Sequence, residues 1–445
     1  MVSSPDGLEQ WMAREYRYAA RAMQKSISAT DIVKTRPGFG TTIRAAKGSI
    51  IASPVLASYD PDPDYFFHWF RDSAVVIDAL RLLLEAGEVG VEAKQTFADF
   101  LGFGLSLRQL DGGERVADKT WRSRAAPDFV KFLRDDADLA GARGEFVVAE
   151  TRVNPDGTLD ISKWARPQHD GPPLRALAML GWARSQQFDE PTTAQLNELL
   201  RADLAFTHQH WHAASYDIWE EDKGLHYYTL RVSAAALDQG ADWLAGQGEA
   251  ELAQAYRSEG EAIGKVLDGF WLDDDGYYRS RILEGGARSQ KDLDIAVILS
   301  AIHAGGEGDA HTVHDPRMQA TLAHLEALFD EKYPINHRRG DALGPAMGRY
   351  DGDVYYSGGA YFFSTLGACE FCYRAALGNG DADDWIARGD AYLATVRKYT
   401  ADSGDLSEQF DQKTGEQTSA RHLAWSYAAF ISTVAARRAA LAQRR

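Results

Sequence analysis

Apolar residues recur along most of this chain at helical spacing. Leu8, Met12, Tyr16, Ala19 and Met23 step by four, four, three and four, one face of an amphipathic helix behind Ser4-Pro5. Residues 73–85 are more apolar, with Val75, Val76, Ile77, Leu80 and Leu83, and predict a buried inner helix. Asp315-Pro316 supplies an N-cap and a first-turn proline ahead of Met318, Leu322, Leu325 and Phe329. Leu423, Tyr427, Phe430 and Val434 repeat the pattern near the C-terminus. In all, the pattern predicts about twelve helices, near 6–26, 69–86, 91–109, 171–187, 193–212, 230–245, 248–270, 289–303, 316–332, 358–378, 382–399 and 420–443. Strand-like alternation is confined mainly to 144–153, with 277–282 a short hairpin arm. No exact repeat or low-complexity linker divides the chain, so residues 1–445 read as one all-α domain of paired helices.

Composition narrows the partners. The net charge is −17 and no basic stripe interrupts it, which argues against nucleic acid, an anionic membrane or a polyanionic sugar. A neutral substrate fits, and the 11 Trp and 19 Tyr provide stacking platforms for one. No apolar run reaches the ~20 residues that span a bilayer. The first thirty residues carry Asp6, Glu9, Arg14, Glu15 and Arg17 without an apolar core, so no signal peptide is visible. The chain reads as cytoplasmic as written, or periplasmic or secreted if a leader was removed. The two cysteines, Cys369 and Cys372, stand alone as a CxxC on a helical pattern and read as buried structural thiols.

The chemistry lies in the loops. Tyr216-Asp217-Ile218-Trp219-Glu220-Glu221 sets two adjacent acids beside a flat aromatic face. Repulsion between Glu220 and Glu221 would leave one of them protonated near neutrality, as an acid catalyst must be. Alone, the run reads as a solvated acidic turn. A second segment, Leu406-Ser407-Glu408-Gln409-Phe410, reverses that by completing the carboxylate pair that glycoside hydrolysis requires. Asp60-Pro61-Asp62-Pro63-Asp64 is barred from helix by its prolines, and its acids lack the glycine turn of a calcium loop. Arg71-Asp72 sits at a helix mouth, where it either caps the helix or holds two neighbouring hydroxyls. Loops 164–172 and 348–356 are likewise rich in aromatic and charged residues.

With these segments in hand, the chain resembles the glucoamylase family, glycoside hydrolase family 15, of the single-domain fungal kind. The match runs through Asp64-Tyr65-Phe66, Trp69-Phe70-Arg71-Asp72-Ser73, residues 164–172 with Leu174-Arg175-Ala176, residues 216–221, Gly348-Arg349-Tyr350 and Ser407-Glu408-Gln409-Phe410-Asp411. It continues through Gly415-Glu416-Gln417-Thr418-Ser419-Ala420-Arg421 and Trp425-Ser426-Tyr427. The resemblance implies an (α/α)6 barrel with its site in a funnel at one end. It implies Glu220 as general acid and Glu408 as general base. Arg71 and Asp72 would hold the terminal glucose, Tyr65 would face the developing positive charge, Trp69, Trp164 and Trp219 would wall the pocket, and Glu221 and Arg349 would bind hydroxyls. No cofactor or metal is implied, and a monomer is expected. No starch-binding module is expected beyond Arg445.

Four places depart from the family pattern: Gly358-Gly359-Ala360-Tyr361, Phe67, Phe410 and His169. The changes at 359–361 and 169 are expected where leaving-side sugars bind, which opens the linkage. The leading expectation is an inverting, exo-acting α-glucoside hydrolase that releases β-D-glucose from maltodextrins. An α-1,6-glucosidase, a trehalase, or a non-catalytic glucan-binding barrel are the alternatives. Intact Glu220, Glu408 and Arg71-Asp72 argue against the silent barrel.

Overall fold

The computed structural model describes residues 5–58, 62–306, 308–378 and 381–444. Ser4 of the first expected cap, Asp60-Pro61 of the acidic loop and Arg445 lie outside them. Among the described residues twelve main helices form, one for each stretch the periodicity marks: α1 (Pro5–Gln24), α2 (Phe70–Glu85), α3 (Glu92–Leu107), α4 (Gly171–Ser185), α5 (Glu190–His210), α6 (Tyr227–Gly246), α7 (Ala250–Asp268), α8 (Ala296–Ala304), α9 (Pro316–Lys332), α10 (Phe362–Ala375), α11 (Ala382–Tyr399) and α12 (Ala424–Gln443).

Six of these close a ring. α2 packs on α4, α4 on α6, α6 on α8, α8 on α10, α10 on α12, and α12 returns to α2. The other six lie outside it, α1 on α12, α3 on α2 and α5, α5 on α4, α7 on α6, α9 on α8 and α11 on α10. This is the (α/α)6 barrel. The sequence explains which helix goes where. α10 buries every residue but Arg374, whereas α7 buries only Ala253, Tyr256, Ile263 and Leu267. A helix apolar all round needs cover on every side, and one with a single stripe can face water. Gly367 sets the inner spacing, because a Cβ there would lie 2.4 Å from Leu299 of α8. Cys369 and Cys372 are free and buried within α10, as expected of structural thiols. Asp315 caps α9 by accepting from the Arg317 amide.

Eleven short strands, antiparallel throughout, stiffen the loops among the described residues: β1 (Val33–Arg36) with β2 (Thr41–Arg44), β3 (His68–Trp69) with β4 (Arg152–Val153), β5 (Ser215–Tyr216) with β6 (Lys223–His226), β7 (Trp271–Leu272) with β8 (Tyr277–Tyr278), β9 (Arg281–Leu283) with β6, and β10 (Gln409–Phe410) with β11 (Gln417–Thr418). Two local expectations change. Residues 144–153 are a 3-10 helix, Gly144–Ala149, ending in the two-residue β4 rather than one strand. The expected helix 289–303 begins only at Ala296, because Asp292 and Asp294 are buried against arginines and Asp294 accepts from the Ala296 amide. No helix among the described residues is long and apolar enough to cross a membrane.

Candidate active site

Each loop that enters an inner helix brings polar residues to the same end of the barrel. Arg71 and Asp72 stand in the first turn of α2, Asp170 directly before α4, and residues 216–221 ahead of α6. Asp294 precedes α8, residues 349–361 precede α10, and Glu408 precedes α12.

Glu220 sits on a left-handed backbone, φ 66°, which side chains other than glycine adopt at a cost of roughly 1–3 kcal/mol. Asp217 holds the turn: its carbonyl accepts from the Glu220 amide at 2.9 Å, and its Oδ1 accepts from the Glu221 amide at 2.7 Å. The turn sends the two adjacent acids apart. Glu220 Oε1 accepts from Trp69 Nε1 at 2.8 Å and Arg71 Nη2 at 3.2 Å, and its Oε2 accepts from Trp164 Nε1. Glu221 instead meets Arg349 Nη2 at 3.0 Å, Lys291 Nζ at 2.8 Å and the Tyr350 hydroxyl. Partners, rather than mutual repulsion, therefore organise this pair, which corrects the sequence argument.

Glu408 directly precedes β10. Its oxygens accept from the Tyr65 hydroxyl at 3.2 and 3.3 Å and from the Ser419 hydroxyl. Tyr65 is in ring contact with Trp69, 5.2 Å between centroids. Two aromatic residues thus connect Glu408 to Glu220. The Tyr65 hydroxyl also meets that of Tyr355 at 2.9 Å, and Arg349 stands over the Tyr355 ring at 5.5 Å and the Trp219 ring at 5.4 Å. These contacts join nine of the ten residues singled out from the sequence, and the tenth, Asp72, lies 3.1 Å from Arg71 Nη2.

Burial dominates the electrostatics here. It pushes the carboxyls of Asp72 up to about 6, Asp170 to about 7 and Glu408 to about 7. Arg71 opposes the rise at Asp72 and Asp170, and the Ser419 hydroxyl opposes it at Glu408. Arg71 pairs with Asp72, Nη2 to Oδ2 3.1 Å, and more loosely with Asp170, Nη1 to Oδ2 3.7 Å; by hydrogen-bond geometry Arg71 Nε and Nη1, Asp72 Oδ2 and Asp170 Oδ2 are nonetheless buried without a partner. Such atoms cost free energy unless something pairs with them. Two fixed carboxylates and a guanidinium with free donors match a ring of hydroxyls that both donate and accept.

Several contributors escaped the sequence reading. Asp170 is one; its signal is that it precedes α4 much as Arg71-Asp72 opens α2. Arg152 is another, its guanidinium 3.6 Å from the Trp164 ring and 4.8 Å from Trp69, with which it is paired across β3 and β4. Arg281 is a third, buried, with Nη1 3.0 Å from Asp217 and 2.6 Å from Asp222, and Nη2 2.6 Å from Asp294. Asp294 Oδ2 in turn accepts from Trp219 Nε1 at 2.9 Å. One guanidinium thus fixes both ends of the turn that presents Glu220. His169 was expected near the leaving-side sugars. It is buried instead against Phe206, 5.4 Å between ring centroids, and its departure from the pattern concerns packing. Phe67 packs between Arg36 and Arg152, and Phe410 stacks on Tyr399. Asp62 pairs with Arg421 and Asp64 with Arg36, so arginines account for both described acids of that loop.

A barrel of this kind, with paired acids at the inner-helix mouths, is the architecture of a glycoside hydrolase. The family model for glycosyl hydrolases family 15 matches residues 39–101, 148–388 and 381–435, and the chain belongs to that family. Among curated relatives, the "Probable glucoamylase" of Schizosaccharomyces pombe is 29% identical over 434 residues, covering 88% of this chain and 85% of the relative. "Glucoamylase 1" of Rhizopus oryzae is 27% identical over 87% of this chain, which spans 66% of that relative's length. The solved glucoamylase of Saccharomycopsis fibuligera shares the fold with a TM-score of 0.77 at 21% identity, over 98% of this chain and 96% of that one.

Proposed function

We propose that this chain is an inverting, exo-acting glucan 1,4-α-glucosidase, taking β-D-glucose from the non-reducing ends of maltodextrins, with residues 1–445 as one catalytic domain. One observation carries the reading. Glu220 and Glu408, linked through Trp69 and Tyr65, stand beside a buried arginine ion-paired with two buried aspartates, whose remaining hydrogen-bonding capacity suits hydroxyl partners. Glu220 is the general acid that protonates the departing oxygen. Glu408 is the general base that takes a proton from the attacking water. Arg71 and Asp72 bind the hydroxyls of the terminal glucose. Tyr65 and the surrounding carboxylates face the ring as it gains oxocarbenium character, where negative charge and π density stabilise it. Trp69, Trp164 and Trp219 form the walls, and Glu221 and Arg349 hold hydroxyls beside the cleavage point. The names of the relatives, glucoamylases, support the α-glucan substrate.

The test is proton NMR in the first minutes of hydrolysis, with maltose, isomaltose and trehalose compared side by side. The β-anomer should appear first, with maltose the fastest of the three. An initial excess of α-anomer over what the leaving sugar itself carries (one α-glucose per trehalose, the reducing-end mixture of maltose and isomaltose) would remove Glu408 from its role as base on water. Glu220→Gln and Glu408→Gln should each lose ~10²–10⁴-fold in kcat while helical circular dichroism is unchanged.

A further inference from the structure

On the outside of the barrel, α1 and the segment after α11 enclose a second cleft of about 530 Å³. It is lined by Arg14, Arg17, Arg21 and Arg397, with Glu15 at its floor and Asp402 at its rim. The three arginines of α1 fall on one helical face, at steps of three and four. Among the described residues, none of the four arginines has a carboxylate within ion-pair distance, whereas most of the protein's other arginines do. Arg397 Nη1 is buried without a hydrogen-bond partner, and so is Glu15 Oε1, on a side chain only 4% exposed. In a chain of net charge −17, four unpaired guanidinium groups around one cavity run against the field of the whole molecule.

We propose that this cleft binds a phosphoryl group, either as free phosphate or as a phosphate ester of a sugar. A guanidinium offers parallel N–H donors that match two oxygens of a tetrahedral oxyanion, and several of them surround such a group better than they surround a neutral hydroxyl. The one carboxyl at the floor does not spoil the site. Burial, and Asp405 beside it, push Glu15 up to about 8 against the pull of Arg14, so near neutrality it is protonated and donates a hydrogen bond. The wall is closely fitted: Gly404 has φ 92°, and a Cβ there would lie 2.8 Å from Tyr18 and 3.1 Å from Glu15 Oε2. The cavity is wide enough for a hexose phosphate as well as the bare anion.

Calorimetric titration of the full chain at low ionic strength with inorganic phosphate and with glucose 6-phosphate tests this, with maltose as the neutral control. One equivalent of each phosphate compound should bind, more weakly as salt is raised. Tighter binding of the ester identifies a phosphorylated sugar as the ligand, and equal affinity identifies the free anion. The exposed double variant Arg17→Gln/Arg21→Gln should weaken both at least about tenfold, since it removes two of the charge-assisted donors around the anion. Glu15→Gln, which keeps a neutral donor, should bind nearly as the parent does. Absence of binding overturns the proposal. So does binding that the arginine variant leaves unchanged, or phosphate displaced by maltose.

Discussion

Ser419 and Tyr65 give their hydroxyls to Glu408, and these bonds favour the ionised carboxylate while burial disfavours it. A base works only when deprotonated, so kcat/KM should rise with pH as Glu408 loses its proton, near 7. Removing the Ser419 hydroxyl takes away support from the charged form and raises the value further. Ser419→Ala should therefore move the acidic limb of the pH profile upward by roughly one unit, costing about tenfold in kcat/KM well below the limb. A limb that stays in place would assign it to another raised carboxyl, Asp72 or Asp170. Glu15, on the outer helix α1, shows the same tension between burial and charge.

At the scale of elements, the turn before α6 depends on a strand that carries none of the proposed catalytic residues. Arg281 on β9 reaches Asp217, Asp222 and Asp294, and lysine has no fork with which to hold three carboxylates. Arg281→Lys should lower kcat by roughly 10²-fold with KM little changed and the barrel intact, because small displacements of an acid are costly. A rise in KM with kcat preserved would mean that Arg281 supports substrate binding instead. This residue also shows where the sequence became opaque. The helices were legible because apolar spacing is a local signal, and Glu220, Glu408 and Arg71-Asp72 were legible through compact motifs. Arg281 sits in an ordinary hairpin arm, 59 residues from Asp222, and its partners share no spacing with it. The start of α8 was misplaced for a related reason. Asp292 and Asp294 look tolerable in a helix until their distant arginines are known. At 144–149 the alternation of a strand was reproduced by a 3-10 turn packed against α4 and α5, where tertiary contacts outweigh local preference.

For the molecule as a whole, the proposed pocket ends at a floor of Arg71, Asp72 and Asp170, all buried at the inner-helix mouths. A closed floor admits one chain end and no chain passing through. Early digestion of a long maltodextrin should yield glucose alone, and a spread of oligosaccharides at low conversion would require an open cleft. The ring of inner helices behind that floor has a further consequence. Cys369 and Cys372 lie on α10, wholly enclosed, and burial pushes both thiols above their ordinary range. A thiol-specific dye cannot reach them while the ring is closed. Their rate of modification should therefore track excursions in which α10 parts from its neighbours, and leave the native ensemble unlabelled. Pulse labelling across a denaturant series would read that opening directly. Two sulfur atoms with no part in the chemistry thus serve as a built-in clock for how often the barrel breathes.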